Sequence, residues 1–189
     1  MSVTFNRKGV MRMKKGFFIV LFLLVSVFAF TDEFTGVFEI PFNTERTVVL
    51  DKMSDTGFQI QYVNTIEDYD KFYKSSIPNL RFFKPKYKYF ENPASEIVFT
   101  CENGVFTNAE ITLDSTNNAA LQKAINDFVK KNKLKKCKDV ITDEYSTFSF
   151  IAKNGNIFAY VIQKDSNDIV LVFLCPAASD YNETLAAIQ

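Results

Sequence analysis

The chain has 189 residues, of which 22 are basic, 22 are acidic, 47% are hydrophobic and none is histidine. This balance indicates a globular rather than a disordered chain, and the lack of histidine excludes Ser-His-Asp and Cys-His nucleophile systems and histidine-ligated metals. The few glycines are scattered, so we predict no phosphate-binding loop, no cofactor and no catalytic or metal site.

The first predicted element is an apolar run over residues 16–30, which follows three closely spaced basic residues. Small residues at 27 and 29 match the pattern that signal peptidase reads. The run is shorter than the roughly 20 apolar residues of a membrane-spanning helix. We therefore predict a signal-peptide helix over residues 1–29, cleavage between Ala29 and Phe30, and an exported protein, periplasmic or extracellular. A retained N-terminal membrane anchor is the alternative.

Cleavage would leave residues 30–189 as a single domain of ordinary size. Five of the 22 basic residues lie in the removed segment, so 17 remain against 22 acidic residues and the net charge becomes minus five. A general nucleic-acid binder carries the opposite charge, so we expect no nucleic-acid partner.

Apolar spacing predicts three strands and a helix in the first half of the domain. An opening strand covers residues 34–42, a second lies around Val48 and Leu50, and a third covers residues 58–62 with one wet face. Helical spacing then predicts a helix from Ile66 to Ile77, which the following proline ends.

The second half has a clearer pattern. A strand that ends at Cys101 turns at Asn103-Gly104 and returns over residues 105–113, since Asn-Gly is a strong hairpin signal. An apolar stripe predicts a helix over residues 120–129. Three strands follow over residues 145–152, 157–163 and 169–175, and a final helix begins near Ser179.

Both alternating sets of side chains are apolar over residues 158–162 and 169–174. Leaving one set in water would cost roughly 1.5–3 kcal/mol per large side chain, so both faces of these strands need cover. We predict an α+β fold in which helices lie on both faces of an antiparallel sheet, an αβα sandwich.

The order of helix, three strands and helix over residues 119–188 resembles the C-terminal half of PsbP-like and DcrB-like proteins. The closest stretch is residues 169–188, IVLVFLCPAASDYNETLAAI, where an apolar strand ends at Cys-Pro and Ser-Asp-Tyr opens the last helix. The aromatic, proline and tryptophan segment typical of the family's first strands is only echoed by residues 38–42, FEIPF, and the chain has no tryptophan. The resemblance implies a binding or assembly role and supplies no active-site residue.

A segment that mixes basic and aromatic residues is a candidate interaction patch for an acidic partner, a glycan or a membrane surface. Its alternating lysines equally fit an edge strand whose charges prevent pairing between sheets. The residues are Arg81, Lys84, Lys86, Tyr87, Lys88 and Tyr89.

A run of lysines over residues 130–138 lies at the C-terminal end of the helix predicted before it. Positive charge is favourable there, which makes a solvated helix end the better interpretation. Weak contact with anionic lipid is the alternative, and otherwise we expect membrane contact only through the signal segment.

The three cysteines have no C-x-x-C spacing. Cys101 and Cys175 each end an apolar strand, so they are the candidate disulfide pair of an exported protein. The alternative is that all three are small core or boundary residues.

These patterns predict an exported, non-enzymatic binding or assembly-accessory protein whose partner is an unknown protein or envelope component. The alternative is a small hydrolase or carbohydrate-active protein that uses aspartate and glutamate. The acidic clusters over residues 139–144 and 165–168 fall in predicted turns, where solvated carboxylates are common.

Overall fold

The computed structural model describes residues 34–61, 63, 66–114, 118–166 and 168–189, without the side chains of Ile66 and Asn118. These residues belong to one compact unit. The predicted signal peptide and its cleavage site at Ala29 and Phe30 lie outside the described residues. Within the described residues, no helix is long and apolar enough to cross a membrane.

The described residues form four helices and a set of mostly short strands. The helices are α1 (Arg46–Asp55), α2 (Ile66–Tyr73), α3 (Asn118–Lys131) and α4 (Tyr181–Ile188). The strands are β1 (Gly36–Val37), β2 (Ile40–Pro41), β3 (Gln59–Ile60), β4 (Asn79–Phe83), β5 (Lys88–Tyr89), β6 (Asn92–Glu102), β7 (Val105–Leu113), β8 (Lys135–Lys136), β9 (Val140–Ile141), β10 (Tyr145–Ile151), β11 (Ile157–Gln163) and β12 (Ile169–Leu174).

One large antiparallel sheet organises the domain. Its strand order is β3-β4-β6-β7-β12-β11-β10-β8, while β5 also pairs with β6 and β9 with β10. The strands β1 and β2 form a separate small hairpin. The last strand in the sequence, β12, therefore lies in the middle of the sheet, between β7 and β11.

The hairpin between β6 and β7 follows from its two turn residues. Asn103 and Gly104 have φ angles of 51° and 81°, the left-handed conformation that a tight two-residue turn requires at both positions. The register pairs Glu102 with Val105 directly across the turn. The hairpin predicted from Asn-Gly is confirmed.

Alternate residues of the central strands pack into two separate apolar clusters. The larger contains Phe158 and Phe173 together with residues of α1 and α3. The smaller joins Ile157 and Leu174 to α4. The mixed α+β class and the antiparallel sheet are confirmed. The predicted cover of the sheet by helices on both faces is present only in part. On the face that carries α4, Val161, Val170 and Val172 stay half-exposed.

Phe34, the first described residue, is held in the core and against the loop between β10 and β11. Phe34 is 2% exposed, and its ring contacts Phe128 and Phe173 at centroid distances of 5.6 and 5.8 Å. Its carbonyl oxygen accepts hydrogen bonds from the side-chain amides of Asn154 and Asn156, at 3.1 and 2.7 Å. Residue 34 is thus an integral part of the core.

The strand predicted around Val48 and Leu50 is wrong, since these residues belong to α1. The β-branched run Thr47-Val48-Val49 favours a strand locally. Burial instead follows helical spacing, with Val49, Leu50 and Met53 all at most 1% exposed while Val48 is 39% exposed. Packing on one face of a helix decides the structure here.

Three other elements are shorter than predicted. The opening strand is broken into β1 and β2 by a turn at Phe38 and Glu39, and within the described residues the third strand is Gln59–Ile60, which pairs with β4. The predicted helix 66–77 ends at Tyr73. The side chain of Arg46 caps this end, since it donates hydrogen bonds to the carbonyl oxygens of Phe72 at 3.0 Å and Tyr73 at 3.1 Å.

Candidate ligand-binding cleft

A cleft of about 570 Å³ opens where three segments meet: the β1–β2 turn, the C-terminal end of α1 and the loop between β4 and β5. Its volume falls within the roughly 300–1,000 Å³ of small-molecule sites. Its lining combines apolar side chains with four charged residues and one threonine. They are Phe38, Glu39, Ile40, Lys52, Met53, Asp55, Thr56, Phe58, Lys84 and Tyr87.

The end of α1 places two of these side chains next to each other. The amide of Gly57 donates to the Ser54 carbonyl at 2.9 Å, and the amide of Phe58 donates to the Met53 carbonyl at 3.1 Å. Gly57 has a φ of 83°, so this is the Schellman ending of a helix, in which Met53 and Phe58 occupy the positions that pack together. The local sequence therefore builds one wall of the cleft.

The β1–β2 turn supplies a second wall. Phe38 and Glu39 have φ angles of 53° and 60°. Gly36 permits this turn, because a Cβ atom there would collide with the Ile40 carbonyl. The Phe38 ring lies 5.5 Å from the Phe58 ring and 5.9 Å from the Tyr87 ring, between centroids. The turn thereby brings three aromatic rings together at one side of the cleft.

Lys84 joins the third segment to the other two. Its Nζ donates a hydrogen bond of 2.7 Å to the carbonyl oxygen of Thr56. The same nitrogen lies 5.1 Å from the centroid of the Phe58 ring and 6.0 Å from that of Tyr87, within the range of cation–π attraction. The ammonium group is therefore fixed by a helix end and two rings. Burial also raises the pKa of Tyr87, so its hydroxyl stays neutral.

The structure divides the predicted interaction patch among different environments. Lys84 and Tyr87 line the cleft. Arg81 forms an ion pair of 2.8 Å with Glu96 on the neighbouring strand. Tyr89 packs against Phe38 in the core, where burial raises the pKa of its hydroxyl.

The remaining two residues of that patch, Lys86 and Lys88, are exposed. Lys86 occupies a turn with a φ of 61°, and Lys88 begins the two-residue strand β5. The alternating lysines are thus split by a turn and do not form one continuous edge strand.

The lysines after α3 line a different cavity. Lys130 and Lys131 occupy the last turn of α3, as its helix dipole favours. Lys135, Lys136 and Lys138 line a smaller cavity of about 280 Å³ beside α4. The structure does not bring these lysines and Lys84 to the lining of one cavity.

All three cysteines are free thiols in the structure. Cys101 and Cys175 are buried, and burial raises the pKa of the Cys101 thiol to about 11 although Arg46 nearby opposes this. Cys137 is half-buried, and burial raises its pKa as well. The disulfide between Cys101 and Cys175 stays a prediction.

A second groove, of about 450 Å³, lies on the face of the sheet that carries α4. Its lining includes the half-exposed Val161 and Val172 and the exposed Tyr145, with Asp180 and Glu183 contributed from the α4 end. Among the described residues, no group of three histidine, cysteine, aspartate or glutamate side chains could hold a metal ion.

Comparison of the chain with family models, curated proteins and solved structures gave no match. The similarity of residues 119–188 to PsbP-like and DcrB-like proteins is therefore neither supported nor contradicted by these comparisons. The cleft has to be interpreted from its own residues.

Sequence reasoning pointed to Lys84 and Tyr87 but missed the rest of the cleft. The sequence pattern places Phe38 in a strand and predicts no role in a site for Met53 or Phe58. A usable signal was present in the sequence Ser54-Asp55-Thr56-Gly57-Phe58, since a glycine after a helix followed by an apolar residue is typical of a Schellman ending. The contact of that ending with Lys84 depends on tertiary structure.

Proposed function

We propose that this chain is an exported, non-enzymatic binding protein that holds a small ligand in the cleft between α1, the β1–β2 turn and the β4–β5 loop. The observation that carries the proposal is the lining itself. Half of its residues are apolar or aromatic, namely Phe38, Ile40, Met53, Phe58 and Tyr87, and a few polar groups accompany them. This combination is characteristic of sites for small organic ligands.

Export is part of the proposal and depends on the predicted signal peptide over residues 1–29. The alternative is an N-terminal membrane anchor. The resemblance to PsbP-like and DcrB-like proteins agrees with a binding or accessory role, in which the ligand-loaded domain serves an envelope component or another protein. The sandwich with helices across both faces is the arrangement we infer for the whole domain.

A specific observation also keeps the hydrolase alternative in view. Glu39 and Asp55, from separate segments, both line the cleft. Glycosidases use two carboxyl groups that flank the scissile bond, one of them acting as an acid in a desolvated setting. Both side chains here are exposed to solvent. The geometry therefore favours binding over hydrolysis.

Titration with an uncharged apolar fluorophore such as N-phenylnaphthylamine tests the proposal. We expect saturable binding to the wild-type protein and an affinity about tenfold lower in Tyr87→Ala, because a half-buried ring of the cleft is removed. Tyr145→Ala, which removes a ring from the second groove, is the matched control and should bind like the wild type.

Two results would contradict the proposal: no saturable binding by the folded protein, or binding that Tyr145→Ala weakens and Tyr87→Ala does not. Thermal unfolding of both variants shows whether each remains folded. Turnover of nitrophenyl esters or glycosides that disappears in Glu39→Gln would support the hydrolase instead.

A further inference from the structure

We propose that Lys84 makes the cleft selective for organic anions, and that the ligand has a flat apolar body with one carboxylate group. This inference rests on the proposed binding function. It adds the chemical class of the ligand and the residue that recognises it.

The first argument is the number of unused donors on Lys84. An ammonium group has three N–H donors. Among the described residues, the carbonyl oxygen of Thr56 is the single hydrogen-bond acceptor of Lys84, at 2.7 Å. The described part of the chain contains no carboxylate within 4.0 Å of its Nζ. Two donors and a full positive charge are therefore left to groups from outside the protein.

The second argument is the burial of the charged residues in the lining. Lys84 is half-buried, whereas Glu39, Lys52 and Asp55 are exposed. A charge that is partly withdrawn from water interacts more strongly with a ligand than one in bulk solvent. The strongest electrostatic contact that the lining offers is thus with a cation, which selects an anionic ligand.

The third argument is that the position of Lys84 is fixed before a ligand arrives. Thr56 follows the last residue of α1, where the carbonyl groups carry partial negative charge and hold the ammonium. The rings of Phe58 and Tyr87 also attract it, with their centroids at 5.1 and 6.0 Å from its nitrogen. Ligand binding therefore costs little conformational entropy at this side chain.

The apolar part of the ligand follows from the rings beside Lys84. Phe58 and Tyr87 lie edge to face, with centroids 4.9 Å apart, and Phe38 lies next to both. Rings in such arrangements pack well against a further flat ring. An aromatic carboxylate places its ring against these side chains and its carboxylate on the two unused donors of Lys84.

Two probes of the same shape separate charge from shape: naphthoate, which carries a carboxylate, and naphthamide, its neutral amide. Isothermal titration calorimetry at neutral pH and low salt gives the two dissociation constants. We expect the wild-type protein to bind naphthoate at least about tenfold more tightly, because charge-assisted hydrogen bonds are stronger than neutral ones.

Three variants assign the preference to Lys84. Lys84→Gln should lose the preference, so that naphthoate and naphthamide bind with similar affinities. Lys84→Arg, which keeps the charge, should retain a preference for naphthoate. Lys88→Gln removes an exposed lysine outside the cleft and should behave like the wild type.

The outcomes distinguish this inference from the function on which it rests. If both probes bind the wild-type protein equally, or if Lys84→Gln keeps the preference, selectivity for anions is refuted while binding in the cleft stands. If neither probe binds while N-phenylnaphthylamine does, the inference about the ligand is refuted and the proposed function stands. If none of the three compounds binds, both are refuted. Unfolding midpoints close to that of the wild type establish that the variants are folded.

Discussion

Arg46 illustrates how a single residue holds two helices in place. It is 7% exposed, and its guanidinium donates to the carbonyl oxygens of Phe72, Tyr73 and Ile77 and to the Ser75 hydroxyl, at 3.0 to 3.3 Å. Burial lowers the pKa of Arg46, yet an arginine remains protonated in proteins. The beginning of α1 thus caps the end of α2 with a buried positive charge.

We predict that Arg46→Ala lowers the free energy of unfolding by about 2–3 kcal/mol, because it removes the four hydrogen bonds that a charged guanidinium donates at the end of α2. Arg46→Lys should recover only part of this loss, since a lysine lacks the planar fork of donors. Urea unfolding measures both.

The matched control for Arg46 is Lys71 on α2. It forms an exposed ion pair with Glu67 at 2.8 Å, and such pairs contribute at most about 1 kcal/mol. Lys71→Ala should therefore unfold almost like the wild type. A loss in Arg46→Ala no larger than that in Lys71→Ala would show that the guanidinium does not hold the helix end.

At the scale of elements, α4 is attached to the sheet by a carboxylate at its beginning and an apolar contact along its length. The Glu102 carboxylate accepts hydrogen bonds from the Ser179 amide at 2.9 Å and from its hydroxyl at 3.0 Å. Tyr181 and Ile188 pack on Ile157 and Leu174. A negative charge beside a helix N-terminus is favourable.

We predict that Glu102→Ala increases hydrogen exchange of the α4 amides, while the strand amides stay protected. Losing these two bonds should lower the free energy of local opening by about 1–2 kcal/mol. Exchange resolved by mass spectrometry or NMR measures this. Glu110→Ala, an exposed glutamate on β7, is the control. Equal exchange of α4 in both variants would exclude this role for Glu102.

The elements also show what a sequence can and cannot predict. Helix α3 was predictable because its apolar residues define a helical period, and β11 and β12 because they are short apolar runs rich in β-branched and aromatic residues. The segment of α1 failed because three β-branched residues outweighed a short helical pattern. The cleft could not be predicted as a whole, since Phe38, Phe58 and Lys84 lie in separate segments that only tertiary packing joins.

At the scale of the whole molecule, the anchoring of Phe34 bears on export. Its carbonyl is bound by Asn154 and Asn156, so the core begins only a few residues after the predicted cleavage site. Cleavage between Ala29 and Phe30 would remove residues 1–29 and leave the contacts of Phe34 intact.

We predict that the exported protein, isolated from the cell envelope or the medium, begins at Phe30 by N-terminal sequencing. Replacing Ala29 with a bulky residue should slow processing and lead to accumulation of the longer form, because signal peptidase reads small residues at this position. A mature form that still starts at an N-terminal methionine in the membrane fraction would establish the anchor instead.

The position of β12 determines when the molecule can fold. A chain emerging from the ribosome contains the β6–β7 pair and then the β10–β11 pair, but the strand that joins them is made last. Until residues 169–174 emerge, the two half-sheets have bare inner edges, which are prone to pair with other chains. We therefore expect synthesis that stops before Ile169 to yield aggregation-prone halves rather than a smaller stable domain.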